Sequence, residues 1–298
     1  MKGMKHTMQD LKMETFLSVC DFRNFTKAAN ALGLTQPAVS HQMKSLEAHY
    51  GVSLFRFEGK KMFLTAAGEQ LYRYARTARS DERVLCEKLK EQTRRPLRLG
   101  ATPTPGECIL PHILSRYLQT HPLPMLSLTI QNTGTLLERL DQDSIDLAVV
   151  EGNFPKESYA SRLFSRQKFA PVCADRLQIS KSSLDSLLQQ TLIIREQGSG
   201  NREILEHSLS RHNLTPADFA ALIETDNINV QKALAKQGCG IAFLFEAAIG
   251  PKENLKVIDA EGFPLEHEIN MIWRRNSIFQ EEYARLAECF SMLLPQSL

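Results

Sequence analysis

Gln36, Ser40, His41 and Lys44 fall within one short stretch, TQPAVSHQMK, at spacings that place them on the outer side of a helix. Such side chains suit recognition better than bond-making. A glutamine amide and a serine hydroxyl can pair with base edges or phosphate oxygens, and Lys44 offers a cation to a sugar–phosphate backbone. His41 adds an imidazole ring able to hydrogen-bond on the same face. A solvated helix face would carry the same residue types, so the surrounding sequence has to decide. Thr35 is placed to cap this helix, and Pro37 falls in its first turn, where a missing N–H does little harm. Small polar side chains beside a helix N-terminus let a backbone come close to DNA.

The elements that must hold this face are legible on both sides of it. Leu11, Met13, Phe16, Leu17 and Cys20 form an apolar stripe at helical spacing. A second short helix is expected from a Thr26 cap through Ala28, Ala29 and Leu32, with Gly33 ending it. In the third helix Val39, Met43, Leu46 and Tyr50 make one inner face, opposite the polar residues. Two small helices, a tight turn and a third helix with a polar outer face make a helix-turn-helix. The next segment, SLFRFEGKKMFLT, reads as two apolar strands about a Glu58-Gly59-Lys60 turn, a wing whose Arg56, Lys60 and Lys61 would meet the phosphate backbone.

The stretch from about Met8 to Thr65 resembles the DNA-binding domain of LysR-type transcriptional regulators, through FTKAA, LTQPAVS, the following LE, GVSLF and LTAAG. The resemblance implies a winged helix-turn-helix domain over 8–65, with the helix-turn-helix motif at about 25–44 and Thr35 to Leu46 as the recognition element. Its expected DNA contacts are Thr35, Gln36, Pro37, Ser40, His41, Lys44, Arg56, Lys60 and Lys61. Phe57 departs from the arginine common after LFR, which changes wing contacts in detail. Thr65 can cap a long helix over 66–93. Leu64, Leu71, Ala78 and Leu85 recur there every seven residues, joined by Ala67, Tyr74, Ala75 and Leu89, while Asp81 and Lys88 spoil the companion position. In the resembled family this segment pairs two subunits, which would set two heads on the half-sites of a dyad-related operator.

From Pro96 the chain changes character. LRLGATPTPGECILPHILSRYL, MLSLTIQN, GTLLERLDQDS and IDLAVVEG alternate strand and helix, and a second such series runs from FAPVCA through GIAFLFEAA to a late strand HEINMIWRR and a closing helix at Ile278 to Leu293. This rhythm implies a mostly parallel sheet with outer helices, an α/β body. It resembles the family's effector-binding domain, related in fold to periplasmic solute-binding proteins. That resemblance implies a two-lobed domain over 96–298, with lobe I at about 96–165 plus 268–298 and lobe II at about 166–267. Candidate effector residues lie in strand-to-helix turns: Thr102 and Thr104, Asn132 and Thr133, Ser199 with Arg202, and Asp226 with Asn227. Asn229 lies in the same turn as the last pair, and Arg195 is a second arginine able to pair with a ligand. Helix N-termini and hydroxyls suit a small anion, although each hydroxyl could also be an ordinary cap. Thr102 and Ser199 are the leading pair.

Charge supports the division. Of the formal net +2, residues 1 to 95 carry 17 Lys or Arg against 10 Asp or Glu, a net of +7, and the remainder carries 19 against 24, a net of −5. A basic head suits a polyanion. No apolar run approaches a membrane span, the N-terminal MKGMKHTMQDLKMETF lacks an export pattern, and the six cysteines form no CxxC pair or metal spacing. Glycine motifs for dinucleotides or phosphates are absent, as are GxSxG and HExxH, and Cys108, Cys173 and Cys239 read as small core or near-core residues rather than nucleophiles. The expectation is therefore a cytoplasmic, nucleoid-associated regulator with no catalytic residues, cofactor, metal or membrane partner. Its expected partners are double-stranded promoter DNA, a small anionic effector, further copies of itself as dimer or tetramer, and RNA polymerase. The alternative is a cytosolic small-molecule-binding protein of the solute-binding type without promoter specificity.

Overall fold

Packing of the head begins with three helices, α1 (Met8–Phe22), α2 (Phe25–Leu32) and α3 (Gln36–Tyr50), followed by a hairpin of β1 (Phe55–Glu58) and β2 (Lys61–Leu64) and the long helix α4 (Ala66–Lys90). These come from a computed structural model that describes residues 8–59, 61–90, 96–121, 123, 125–177, 179, 183–250 and 254–294. The chain divides into two units, Met1–Cys86 and Glu87–Leu298. In the first, Phe16, Val19, Ala28, Ala29, Val39, Met43 and Leu46 bury a common core that Leu54, Phe55 and Met62 of the wing complete. Asn24, and not Thr26, caps α2: its extended backbone lets the side-chain oxygen accept from Lys27 N–H at 2.9 Å, leaving Thr26 inside the first turn. Gly33 ends α2 with φ of 66°, a left-handed conformation that favours glycine. Tyr50 departs from the expected inner face. It is exposed, and its ring packs edge-on against His49, because α3 has run past the core by its last turn.

Two motif residues join the wing to its neighbours. The Glu47 carboxylate accepts from the N–H groups of Leu54 and Phe55 at 2.7 and 3.4 Å, which ties the start of the hairpin to α3. Thr65 caps α4 by accepting from Gly68 N–H at 3.0 Å. A Cβ on Gly68 would stand 2.1 Å from the Leu54 carbonyl oxygen, so helix and wing approach here only because residue 68 has no side chain.

The second unit is built on a nine-stranded sheet ordered β4-β3-β5-β11-β6-β9-β7-β8, with β10 (Leu255–Val257) paired to β6. On one side lie β3 (Leu97–Ala101), β4 (Leu126–Ile130) and β5 (Leu147–Val150), with helices α5 (Leu110–Thr120) and α6 (Thr133–Asp141) between them. On the other lie β7 (Thr191–Arg195), β8 (Ala221–Thr225) and β9 (Ile241–Phe245), with α7 (Leu184–Leu188), α8 (Gly200–Ser210) and α9 (Ile228–Lys236). Two long strands, β6 (Tyr159–Ala174) and β11 (Leu265–Arg274), pair antiparallel and carry the sheet from one lobe to the other, and α10 (Gln280–Met292) closes the chain. The sheet is therefore mixed where a mostly parallel one was expected. Within each lobe the pairs β3–β4, β3–β5, β7–β8 and β7–β9 are parallel, but every pairing of β6 and β11 is antiparallel.

Apolar runs such as LAVV and IAFLF do not alternate because both faces of the sheet are covered. Leu147 and Val149 pack with Ile109, Ile113 and Phe290, while Ala148 and Val150 pack with Leu136 and Leu140. In the other lobe Phe243 and Phe245 face Phe169, Leu192 and Ile194, and Ala242 and Leu244 face Val172, Ile193 and Ile228. Cys173 is buried and Cys108 half-buried, but Cys239 is exposed in the turn after α9 rather than in a core.

Candidate functional site

The candidate DNA face of the head is polar and open. Thr35 caps α3 by accepting from Ala38 N–H at 3.3 Å, and Pro37 occupies the first turn. Gln36, His41 and Lys44 are exposed, Ser40 is half-exposed, and all lie opposite buried Val39, Met43 and Leu46. The Gln36 amide donates to the Ser40 hydroxyl at 2.9 Å, one turn along, so the pair presents a joined donor–acceptor surface. On the wing Lys61 is exposed, whereas Arg56 pairs with Glu58 and lies 4.8 Å over the Phe63 ring. Lys60 lies outside the described residues. Phe57 is also exposed and packs against Phe25 with ring centroids 6.1 Å apart.

In the second unit the carboxyl ends of β3, β4 and β5 meet those of β7 and β8. Ligands of open α/β sheets gather at such strand ends. Glu151, the first residue after β5, is fully buried there. Thr102, the first residue after β3, donates its hydroxyl to Glu151 Oε2 at 3.0 Å. Behind it, His267 Nε2 lies 2.6 Å from the Glu151 carbonyl oxygen and ties this loop to β11. Burial pushes the Glu151 carboxyl up to about 7, while the Thr102 hydroxyl, the Arg195 guanidinium and the Thr104 hydroxyl hold it down and Glu196 pushes it further up. Thr104 lies near enough to favour the charged carboxylate but makes no hydrogen bond of good geometry, and its hydroxyl has no partner among the described residues.

Arg195 ends β7 and is 2% exposed. Its Nε and Nη2 donate to both oxygens of Glu196 at 2.9 and 3.2 Å, and Nη2 also reaches the Asp226 carbonyl at 2.9 Å. Its buried Nη1 has no partner among the described residues. The same holds for the Thr133 hydroxyl at the start of α6, for both amide atoms of Asn201 in the first turn of α8, and for Oε1 of Gln231, whose Nε2 donates to the Ile193 carbonyl at 2.8 Å. Ser199 stands at the α8 N-cap, buried, with no capping bond from its hydroxyl. Two glycines bring the lobes into touch. A Cβ on Gly200 would lie 2.8 Å from Gly152 N, and one on Gly152 would lie 2.5 Å from the Thr133 hydroxyl oxygen and 3.2 Å from the Gly200 Cα.

The expected residues thus separate into two groups. Thr102, Thr104, Thr133 and Ser199 converge on Glu151, Gly152 and Gly200. Asn132 is occupied as the α6 cap, accepting from Thr135 N–H, and its Nδ2 faces the Gly198 turn. Asn227 is likewise a cap, accepting from Asn229 and Val230 N–H, and the Asp226 side chain is exposed. Asn229 reaches across the lobes to donate to Glu107 at 2.6 Å. Arg202 is held by Glu206 and Glu224 at 2.7 and 2.6 Å, and Arg195, buried with one nitrogen uncommitted, is the arginine that faces the junction. Glu151, Asn201 and Gln231 went unnoticed in the sequence. The signal available for Glu151 was its position directly after the apolar run of β5, where a charge must either be matched or serve a ligand.

Residues 11–69 match the family model of bacterial regulatory helix-turn-helix proteins of the lysR family, and residues 90–292 match that of the LysR substrate binding domain. The chain belongs to the LysR family. It is a DNA-binding transcriptional regulator with an effector-binding domain, and the family is one of regulators rather than enzymes. The regulator CmpR of Synechocystis is 32% identical over 89% of each chain, and CbbR of Rhodospirillum rubrum is 30% identical over 91% of this chain and 92% of its own. Among solved structures, OxyR of Corynebacterium glutamicum superposes with a TM-score of 0.59 at 21% identity, covering 97% of this chain and 92% of OxyR. The regulatory domain of Synechocystis CcmR, solved in complex with 2-PG, gives 0.59 at 19% identity, covering 67% of this chain and 98% of that domain. These likenesses establish the fold. The helix-turn-helix match also weighs against a solute-binding protein without promoter specificity. No helix among the described residues is long and apolar enough to cross a membrane.

Proposed function

We propose that this LysR-family chain is a non-enzymatic, cytoplasmic, nucleoid-associated regulator that reads promoter DNA through Thr35, Gln36, Pro37, Ser40, His41 and Lys44, aided on the wing by Arg56, Lys60 and Lys61. The proposed division is a winged head over 8–65, a dimerising helix over 66–93 and a two-lobed sensor over 96–298. Lobe I comprises about 96–165 plus 268–298, and lobe II about 166–267. A small anionic metabolite binds where the lobes meet, against Thr102, Thr104, Thr133 and Ser199 and beside the Asn132, Arg202, Asp226 and Asn227 turns.

The observation that carries this reading is the set of buried polar atoms left without partners at the junction: Arg195 Nη1, the Thr104 and Thr133 hydroxyls and the Asn201 amide. Buried polar groups are rarely left unpaired, and each costs about 1–3 kcal/mol unless something binds it. A ligand with several oxygens, held at the α6 and α8 N-termini, satisfies the donors among them together. Self-association is supported by Tyr74, Ala78, Leu85 and Leu89, all exposed along α4 at coiled-coil spacing, and the assembly is a dimer or tetramer acting with RNA polymerase. Effector binding changes the placement of lobes and subunits, and through it the grip on DNA. The test is binding of the purified chain to the promoter fragment next to its own gene at moderate salt, with and without a panel of organic and inorganic anions. Sequence-specific binding shifted by one class of anion is expected. Failure to bind the fragment under any condition would refute the reading.

A further inference from the structure

Resting on the reading of the lobe junction as an anion site, we propose that its effector carries its own hydrogen-bond donor. The ligand is an anion that also bears a hydroxyl, an ammonium or an acidic proton, and it turns that donor to the Glu151 carboxylate. Fully deprotonated oxyanions and simple carboxylates are selected against.

The balance of charge at the junction leads here. The ionic groups that face the Glu151 carboxylate are Arg195 and Glu196, both from the end of β7, and His267 of β11 reaches its backbone carbonyl. The Arg195 guanidinium is already engaged by Glu196 at 2.9 and 3.2 Å, and Arg202 by Glu206 and Glu224. One guanidinium therefore stands between two carboxylates, and a bare dianion would find no surplus cation there. What remains for its oxygens is the one uncommitted nitrogen of that guanidinium, Arg195 Nη1, and a set of neutral donors: Asn201 Nδ2, the Thr133 hydroxyl and the N–H groups that open α6 and α8. These can hold one anionic group. Opposite them Glu151, in its ionised form, acts as an acceptor, already taking the Thr102 hydroxyl on Oε2, and against anionic oxygens it would be repulsive. A donor on the ligand converts that repulsion into a charge-assisted hydrogen bond. Gly152 and Gly200 approach so closely that neither leaves space for a Cβ between the lobes.

Calorimetric titration of the full-length chain with matched probes tests the proposal. Near pH 8, where Glu151 is mostly ionised and phosphate keeps one proton, glycolate and glycine are each compared with acetate, and inorganic phosphate with sulfate. These arms separate hydroxyl, ammonium and protonated oxyanion as the donor. The donor-bearing member should bind about tenfold or more tightly in at least one comparison and more weakly in none, since a hydrogen bond to a charged group is worth at least that ratio. In Glu151→Gln, whose amide can itself donate, the preference should fall below about threefold. A wild-type chain in which no comparison reaches that preference, or in which acetate or sulfate binds more tightly than a donor-bearing counterpart, would overturn the proposal and leave the anion site standing. Absence of binding by every probe would overturn the anion reading and this inference with it. The wild-type order decides without the variant, and the variant's melting curve shows whether it is folded.

Discussion

The two regions proposed to carry this protein's function treat polar side chains in opposite ways. On the head, Gln36, His41 and Lys44 stay in water, at no desolvation cost. At the lobe junction, Glu151, Arg195, Ser199 and Asn201 are buried, and several of their atoms wait for partners. An exposed reading face tolerates substitution of single residues and loses specificity or affinity by degrees. A buried site stores unfavourable desolvation that ligand relieves, so its residues should govern stability, pH response and ligand response together.

The largest expected effect comes from the glycines that permit close approach. Gly68→Ala places a Cβ against the Leu54 carbonyl and should lower head stability by about 2–3 kcal/mol, with DNA binding lost and anion binding retained. Gly200→Val should do the reverse, abolishing the response to anion while leaving promoter affinity in place. Thermal denaturation together with fluorescence anisotropy on labelled promoter would distinguish them, and loss of both functions in either variant would erase the contrast.

A pH effect is of comparable size. Glu151 is raised from the ordinary carboxylate value of 4.5 to about 7 by burial. The folded chain holds this proton more tightly than the unfolded chain. Its contribution is thus fully present below pH 4.5 and is lost as pH rises through 7, on the order of 3 kcal/mol across the window. Denaturant unfolding from pH 4.5 to 8 should show that decline, and Glu151→Gln should flatten it. An unchanged slope in the variant would remove Glu151 from the explanation.

Smaller effects should divide the head. Gln36→Ala or Ser40→Ala should change preference among operator variants by about 1–3 kcal/mol at one or two base pairs. Lys61→Ala should weaken all sequences alike and reduce the slope of log affinity against log salt by about one. Arg56→Ala should do less, since its charge is matched by Glu58. Smallest of all, Asn227→Ala should cost about 1 kcal/mol of stability through a lost cap and leave anion affinity unchanged, whereas Ser199→Ala, with no capping bond to lose, should leave stability unchanged and weaken the anion.

How far each region was legible follows from how it is built. The recognition helix, its Thr35 cap, Gly33 and the wing lie within a continuous stretch, so local pattern displays them. Even the tie from Glu47 to the wing lies inside a motif that could be quoted whole. The lobes' helices and parallel strands were equally readable from their apolar rhythm. The long span of β6 was not, because its first half, YASRLFSRQ, mixes exposed and buried residues as it crosses between lobes. The junction draws on residues 102, 133, 151, 195 and 199, which no local spacing connects. Hydroxyls after strands could be nominated there, but a cap and a ligand contact look alike in sequence. Asn227 and Ser199 occupy the same kind of position, and only the hydrogen bonds separate them. Sequence could not show which arginine is held by acids, for the same reason: the acids that pair with Arg202, Glu206 and Glu224, are set by the turn of α8 and by its packing beside β8.

The most direct measurement is the promoter affinity of the full-length chain with and without a bound anion, in the wild type and in Thr133→Val. The expected result is a clear shift of wild-type affinity on adding anion, and a variant with unchanged anion-free affinity that no longer responds. A folded Thr133→Val chain that still responds like wild type, or that loses DNA binding without any anion present, would contradict the assignment of the lobe junction as the site through which ligand reaches the DNA-binding head.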